Sequence, residues 1–416
     1  MTDHHTHGFS RRQALFGALG LGASVTFMGR AARAEPNGKK LIVLVCRGGL
    51  DGLSLTPPVG DADYAGLRGG VAYTPEQALK LDGTFGLHPA MSRAHALAQK
   101  GQLRIAPAVA TPDRARSHFE AQDVLETGSE AKYTATSGWL NRTLQALSPE
   151  RKVEALSVGA VAPLILRGQV QAASWSPGRN ADSTARLPTI LQDLYKNDPL
   201  LGPVFARGLQ TEAMAQIAMT GLPAPATAQP MEGMAKPDPA AMQAAQRQGM
   251  AAAEKLGVTV ANFMTQAGGP QIVAISLDGF DTHSGQVGQL QQRLNYMDAL
   301  IGGLTTGLGP AWKDTVIVAA TEFGRTARVN GTGGTDHGTA SSALVLGGGL
   351  KKGGIIGDWP TLQQTALFEN RDTRPTLDMR GLFKGVLRDH LGVEQRALDT
   401  TVFPDSASAR PVTGIV

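Results

Sequence analysis

The sequence predicts an α/β fold, with a mainly parallel sheet covered by helices on both faces. Short apolar runs rich in Val, Ile and Leu recur along the chain, and stretches with helical spacing separate them. Such continuous runs are typical of strands buried on both faces, and strands joined through helices run mainly parallel. The predicted strands are Lys39–Cys46, Leu103–Val109, Gln271–Leu277, Thr315–Ala320 and Ala343–Leu346.

Three segments have apolar residues at helical spacing: Arg116–Thr127, Gly285–Leu308 and Met379–Leu391. A fourth stretch, at about 205–255, is rich in Ala, Met, Gln and Pro and reads as a flexible insertion that leads into a helix. Its methionines could bind copper, although adaptable packing is their commoner role. We find no internal repeat, so the sequence predicts a single domain over residues 35–416 with this insertion.

The first 34 residues have the features of an export signal. Ser10-Arg11-Arg12 forms a twin-arginine pattern, an apolar run over residues 15–28 follows, and small residues before position 35 predict cleavage after Ala34. The alternative is a membrane anchor, but the run is shorter than the ~20 residues that span a bilayer. We therefore expect a periplasmic protein that engages the twin-arginine export machinery and has no stable membrane anchor.

Charge and composition exclude several classes of protein. The chain has 39 Lys+Arg and 35 Asp+Glu, of which residues 1–34 hold four Arg and one Asp, so the remainder carries 35 basic and 34 acidic residues. A nearly neutral body with 5% aromatic residues does not suggest a nucleic-acid partner. The single cysteine, Cys46, lies inside a predicted strand and is expected in the core.

Polar motifs follow the predicted strands, at the edge where open parallel sheets bind ligands. Carboxylates and imidazoles recur in them, and together these are ligands for a divalent metal. The candidate metal ligands are Asp51, Asp281, His283, Glu322, Asp336 and His337, and the candidate catalytic residues are Ser117, His118 and Arg325.

Each candidate also has a structural explanation. Asp51 between glycines could form a turn, and Ser117 with Glu120 matches a helix capping box as well as a phosphate-binding helix start. Arg325 could be an ion-pair partner or, like Arg47, an anion clamp. An adjacent acid and imidazole at Asp336 and His337 are harder to explain by stability alone.

The motifs resemble the exported DUF1501 family. The shared motifs, in order, are Gly-Gly-x-Asp-Gly, Ser-His-Phe-x-Ala-Gln-Asp, Gly-Phe-Asp-Thr-His, Thr-Glu-Phe-Gly-Arg-Thr and Gly-Gly-Thr-Asp-His-Gly, and they span most of the chain. That family looks related to the alkaline phosphatase and sulfatase superfamily, so the resemblance implies an alkaline phosphatase-like fold.

The resemblance also implies roles. Asp51 matches a metal ligand after the first strand, Ser117 the nucleophile, Asp281 and His283 one metal site, and His337 a final ligand. Phe323 stands where a second metal site normally has a ligand, so one cation is as compatible with the pattern as two. The implied metal is Zn, Mn, Mg or Ca.

Two functions are consistent with this pattern. One is a periplasmic metal-dependent hydrolase of phosphate or sulfate esters, acting on a small-molecule ester through Ser117 or a metal-bound water, with His118 as orienter or proton donor. The other is a non-catalytic metal-binding or assembly protein on the same fold.

Overall fold

The computed structural model describes residues 38–147, 155–158, 163–170, 172–175 and 239–416. The predicted signal segment, and the predicted insertion as far as residue 238, lie outside these residues. None of the helices within the described residues is long and apolar enough to cross a membrane.

Nine strands of the described chain form one central sheet. Its order is β10-β4-β9-β8-β1-β7-β5-β6, with β11 also paired to β4. The strands are β1 (Lys40–Cys46), β4 (Leu103–Ala110), β5 (Ala155–Val158), β6 (Ala173–Trp175), β7 (Ile272–Leu277), β8 (Thr315–Ala320), β9 (Ser341–Leu346), β10 (Gly354–Ile355) and β11 (Leu377–Asp378). Two further short strands, β2 (Leu79–Lys80) and β3 (Gly86–Leu87), pair with each other.

The sheet is mostly parallel, which confirms the predicted fold class. Strand β1 pairs in parallel with β7 and β8, and β5 pairs in parallel with β6 and β7. Strand β9 is the exception, because it runs antiparallel to both β4 and β8. The start of β9 therefore lies at the same edge as the ends of its neighbours.

Helices cover both faces, and the side chains of β1 alternate between two cores. Ile42, Leu44 and Cys46 belong to one buried cluster, while Leu41, Val43 and Val45 belong to the other. The helices are α1 (Gly52–Leu55), α2 (Tyr64–Arg68), α3 (Ser92–Ala98), α4 (His118–Thr127), α5 (Trp139–Leu147), α6 (Pro239–Thr265), α7 (Gln286–Leu308), α8 (Met379–Leu391) and α9 (Gln395–Ala397). Short 3-10 turns cover Gly69–Val71, Leu164–Leu166 and Gly309–Asp314, and a π turn covers Leu398–Val402.

Candidate metal centre

Sheet topology brings the predicted motifs to one edge. The segments after β1, β4, β7 and β8 leave the sheet at their carboxyl ends, and the reversed β9 brings the segment before it to the same place. Residues 324–326 and 336–339 then pair as a short antiparallel ribbon, in which Gly338 N donates to Gly324 O at 2.8 Å. This ribbon fixes the backbone that carries His337.

Three of the predicted residues form a group that could hold a cation. The ligand atoms of His118, Asp281 and His337 all lie within 4.8 Å of one another. His118 Nε2 is 3.4 Å from Asp281 Oδ2, and His337 Nε2 is 3.2 Å from Asp281 Oδ1. His118, predicted as an orienter or proton donor, therefore faces the group directly.

His283 adds a third imidazole beside this group. Its Nε2 atom lies 3.0 Å from Asp281 Oδ1 and 3.0 Å from His337 Nε2. The tight Asp-x-His spacing, with Thr282 between the two side chains, thus places both on the same side of the loop after β7.

All three imidazoles are held from behind by an oxygen acceptor. His337 Nδ1 lies 2.9 Å from the carbonyl oxygen of Arg116, His118 Nδ1 lies 3.0 Å from Glu322 Oε1, and His283 Nδ1 lies 3.2 Å from Asp336 Oδ1. Carbonyl and carboxylate oxygens accept hydrogen bonds, so each Nδ1 is placed to donate, and a neutral ring in that tautomer presents its lone pair at Nε2. Metal-ligating histidines usually have this arrangement.

His283 Nε2 and His337 Nε2 face each other across 3.0 Å, and both also lie within 3.2 Å of Asp281 Oδ1. In the tautomer with hydrogen on Nδ1 these two nitrogens are both acceptors, and they repel each other unless a proton or a metal cation is shared between them. His118 Nε2 supplies a second indication, since it is buried yet makes no hydrogen bond in the described part of the chain. The residues present therefore fit a bound divalent cation.

Glu322, predicted as a ligand, stands behind His118. Its carboxylate is fully buried and accepts from Gly48 N at 2.8 Å, Thr321 Oγ1 at 2.9 Å and Gln122 Nε2 at 3.2 Å as well as from His118. Burial opposes ionisation, but these donors outweigh it and lower the pKa of Glu322. The Glu322 hydrogen bond in turn raises the pKa of His118 in the metal-free protein.

Asp281 is held ionised by Arg325. Partial burial acts to raise the pKa of Asp281, but the hydrogen bond and charge of Arg325, with His337 and His283, lower it to about 2. Arg325 is fully buried and donates to the carbonyl oxygens of Gly49 at 2.7 Å, Thr335 at 2.9 Å and Gly48 at 2.6 Å. The side chain predicted as an anion clamp is thus bonded to the protein itself.

The side chain of Arg47, the other candidate anion clamp, is likewise hydrogen-bonded to groups of the protein. It donates to Ser276 Oγ at 3.3 Å, to Gln122 Oε1 at 2.7 Å and to the buried Glu126.

Asp51, also predicted as a ligand, is not brought to the histidines. It caps α1 by accepting from Leu53 N, and its carboxylate pairs with the fully buried Arg68. Ser54 Oγ donates to this carboxylate at 2.8 Å, and the side-chain amide of Gln286 also donates to it. Asp336 is half-exposed at the rim, where it contacts His283 and Asn330, and the Asn330 hydrogen bond lowers its pKa.

Ser117 immediately precedes α4, but its side chain makes no capping hydrogen bond to that helix. The helix begins at His118, and Arg116 before it has a positive φ of 55°. Left-handed backbone in a non-glycine residue is strained, and here it accompanies the turn that presents the Arg116 carbonyl to His337. Arg116, Gln122 and Gln286 are site residues that sequence reasoning missed, because their contacts depend on the fold.

Phe323 packs under the imidazoles. Its ring centroid lies 4.9 Å from that of His118 and 4.8 Å from that of His337. Gly49, at φ 67°, permits this, because a Cβ there would lie 2.4 Å from the Phe323 ring. Phenylalanine at this position therefore supports two of the imidazoles.

The chain belongs to the family described as protein of unknown function DUF1501, whose model matches residues 38–402. This confirms the family resemblance seen in the motifs. No curated protein matches the chain.

Similar solved structures include three proteins at low identity. The zinc complex of the periplasmic domain of EptC from Escherichia coli matches with 10% identity and a TM-score of 0.36, over 92% of this chain and 90% of that one. The lipoteichoic acid synthase LtaP from Listeria monocytogenes matches with 9% identity and a TM-score of 0.39, over 94% of this chain and 81% of that one. The alkaline phosphatase of the Antarctic bacterium TAB5 matches with 11% identity and a TM-score of 0.35, over 77% of this chain and 94% of that one. At these TM-scores the likeness transfers no activity to this chain.

Proposed function

We propose that the protein is an exported, metal-dependent hydrolase of phosphate or sulfate esters. The observation that carries the proposal is the pair of imidazole nitrogens, His283 Nε2 and His337 Nε2, which face each other at 3.0 Å beside the ionised Asp281. Among the described residues His118 Nε2 is buried and has no hydrogen-bond partner, and it completes the donor set. A shared proton is the competing occupant, and it would hold the two imidazoles together without any catalytic role.

The donor set favours one borderline cation over Mg²⁺ or Ca²⁺. Three imidazoles and one carboxylate surround the centre, whereas Mg²⁺ and Ca²⁺ prefer oxygen ligands. Two carboxylates that would make the set richer in oxygen, Asp51 and Glu322, bond to other groups. We therefore expect Zn²⁺ or Mn²⁺ in a single site.

A bound cation would polarise the ester and offset the charge that develops on its oxygens. Asp281 and His283 are each 45% exposed, so a substrate in solvent can reach this side of the centre. Ser117, next to His118, is our candidate nucleophile, because its hydroxyl does not cap α4. In that step Ser117 Oγ bonds to phosphorus or sulfur, the bond to the leaving oxygen breaks, and the serine proton passes to that oxygen to give the alcohol. Water later hydrolyses the serine ester.

One observation favours the second candidate, a non-catalytic metal-binding or assembly protein. Arg47 and Arg325, the two arginines expected to hold the ester's other oxygens, donate instead to groups of the protein. Export through the twin-arginine machinery, predicted from residues 1–34, is part of both proposals.

The test is elemental analysis of protein purified after export, followed by loading with Zn²⁺ or Mn²⁺ and a panel of aryl phosphate, phosphodiester and sulfate substrates. We expect about one equivalent of metal, hydrolysis of at least one ester, and loss of both in His337→Ala. His95→Ala, a half-buried imidazole in α3, is the control and should keep both. Full activity in Ser117→Ala would exclude the serine ester and leave water as the nucleophile.

Bound metal without turnover would support the second candidate. If no metal binds even after loading, a shared proton occupies the centre and the hydrolase proposal is wrong.

A further inference from the structure

A single amide joins the two loops that carry the candidate ligands. Gln286 is the first residue of α7 and is almost fully buried. Its Oε1 atom accepts from Thr282 Oγ1 at 3.1 Å and from Thr335 Oγ1 at 2.6 Å. Its Nε2 atom donates to Asp51 Oδ2 and, at 3.1 Å, to Ser54 Oγ.

The partners determine the orientation of this amide. An ionised carboxylate can only accept, so the nitrogen must face Asp51 and the oxygen must face the two threonine hydroxyls. Ser54 Oγ gives its own hydrogen to Asp51 at 2.8 Å and is therefore an acceptor for Gln286.

Both threonines sit within the candidate ligand segments. Thr282 lies between Asp281 and His283, and Thr335 lies two residues before His337. Both are fully buried, and Thr335 N also donates to the Thr282 carbonyl oxygen at 3.2 Å. A shift of the Gln286 amide would therefore move the backbone on both sides of the centre.

Asp51 provides the fixed end of this chain of contacts. Its carboxylate and the Arg68 guanidinium are 1% and 0% exposed and pair directly. A buried ion pair is costly to separate, so the carboxylate cannot leave Gln286 at low cost. The cation that Asp51 pairs with is therefore the Arg68 guanidinium and not a metal ion.

We propose that Asp51 and Gln286 are positioning residues that set the spacing of His283 and His337, and that Asp51 acts on the centre through Gln286. The inference rests on the proposed metal centre. It assigns the Asp of the Gly-Gly-x-Asp-Gly motif a role other than ligation.

The experiment removes, one at a time, the hydrogen bonds that Gln286 makes to the two threonines, with little change in side-chain volume. We call the contacts from Asp51 through Gln286 to Thr282 and Thr335 the relay. Thr282→Val and Thr335→Val delete one hydroxyl each, Thr335→Ser keeps it, and Thr143→Val deletes a buried hydroxyl that bonds within α5. Zn²⁺ dissociation constants are measured by competition with a chelator. We expect Zn²⁺ to bind about ten-fold more weakly to Thr282→Val and Thr335→Val, as for other residues that orient metal ligands. Thr335→Ser and Thr143→Val should bind it as the wild type does.

Gln286→Leu separates the two roles of Asp51, because it leaves the carboxylate in place. Weakened binding in this variant supports positioning, whereas unchanged binding in Gln286→Leu and both Val variants overturns the proposal.

A wild-type protein that binds no metal would refute the proposed function while leaving the relay testable. Amide hydrogen exchange is then compared in the metal-free proteins, at Gln286 N, which donates to Gly333 O at 2.9 Å, and at Thr335 N. Loss of protection in Thr335→Val but not in Thr143→Val supports the relay. Equal protection in wild type and Thr335→Val overturns it.

Discussion

Glu322 contacts the His118 ring at 3.0 Å, so in the proposed metal centre its replacement should change metal affinity without removing a ligand. In Glu322→Gln the neutral amide no longer supplies the charge that polarises His118, and its NH₂ group opposes one of the donors Gly48 N or Thr321 Oγ1. We expect Zn²⁺ affinity to fall about 10- to 100-fold, measured by competition titration.

The matched control is Glu126→Gln, a buried carboxylate that bonds Arg47 and Ile165 N instead. Its affinity should stay near that of the wild type. Equal affinities in Glu322→Gln and wild type would contradict a role for Glu322 behind His118.

At this scale the sequence could predict which residue types gather, but not their order around the centre. Asp281, His283 and His337 were predicted as ligands, and the structure places all three together. Asp51, Glu322 and Asp336 were also predicted as ligands, because each lies next to the end or the start of a predicted strand. Their placement depends on competing partners such as Arg68, which is 17 residues from Asp51 and carries no signal in the sequence.

Helices α6 and α7 approach closely through glycine, which makes their packing sensitive to one methyl group. A Cβ at Gly303 would lie 2.1 Å from the carbonyl oxygen of Glu254, and one at Gly257 would lie 2.4 Å from that of Leu300. Gly303→Ala should therefore lower the free energy of unfolding by about 1–3 kcal/mol, as overpacked sites do.

Gly288→Ala on the same helix is the control, since no atom of the described residues lies within 4 Å of its Cβ position. There alanine should raise stability by about 0.5–1 kcal/mol through helix propensity. Urea denaturation of both variants measures the difference. If Gly303→Ala is as stable as Gly288→Ala, the two helices are not in close contact there.

The elements themselves were largely predictable. The five predicted strands are observed with ends shifted by at most two residues, and the helix predicted over Met379–Leu391 has those bounds. The reversal of β9 was not predictable, because an apolar run carries no information on strand direction. Strand β5 was missed for another reason, since its four residues, Ala155–Val158, include Ser157 and so form no continuous apolar run.

At the scale of the molecule, one topological fact explains the centre. Parallel strands on either side of β1 end at one edge, and the reversed β9 starts there, so motifs more than 200 residues apart, such as those of His118 and Glu322, meet. The sequence predicted this edge from the order of strands and helices. It could not predict which titratable groups are buried far from that edge, where their protonation would make the stability of the protein depend on pH.

His390 is the clearest of these groups. It lies 4% exposed in α8 and donates from Nε2 to the Lys40 carbonyl oxygen at 2.8 Å, which ties the helix to the start of β1. Burial lowers its pKa to about 4, against about 6.5 in an unfolded chain. Between these values the unfolded state binds a proton that the folded state does not, so stability is complete above pH 6.5 and is lost as the pH falls towards 4.

For this one group the loss between pH 7.5 and pH 5 is about 2 kcal/mol. Glutamine at position 390 keeps an N–H donor for Lys40 but cannot titrate, so His390→Gln should show a pH dependence smaller by that amount. Urea denaturation of wild type and variant at both pH values, with chelator present, isolates the difference from any bound metal. Identical pH dependence in the two proteins would mean that His390 accepts its proton while the protein is folded, and that α8 can open at this position without global unfolding.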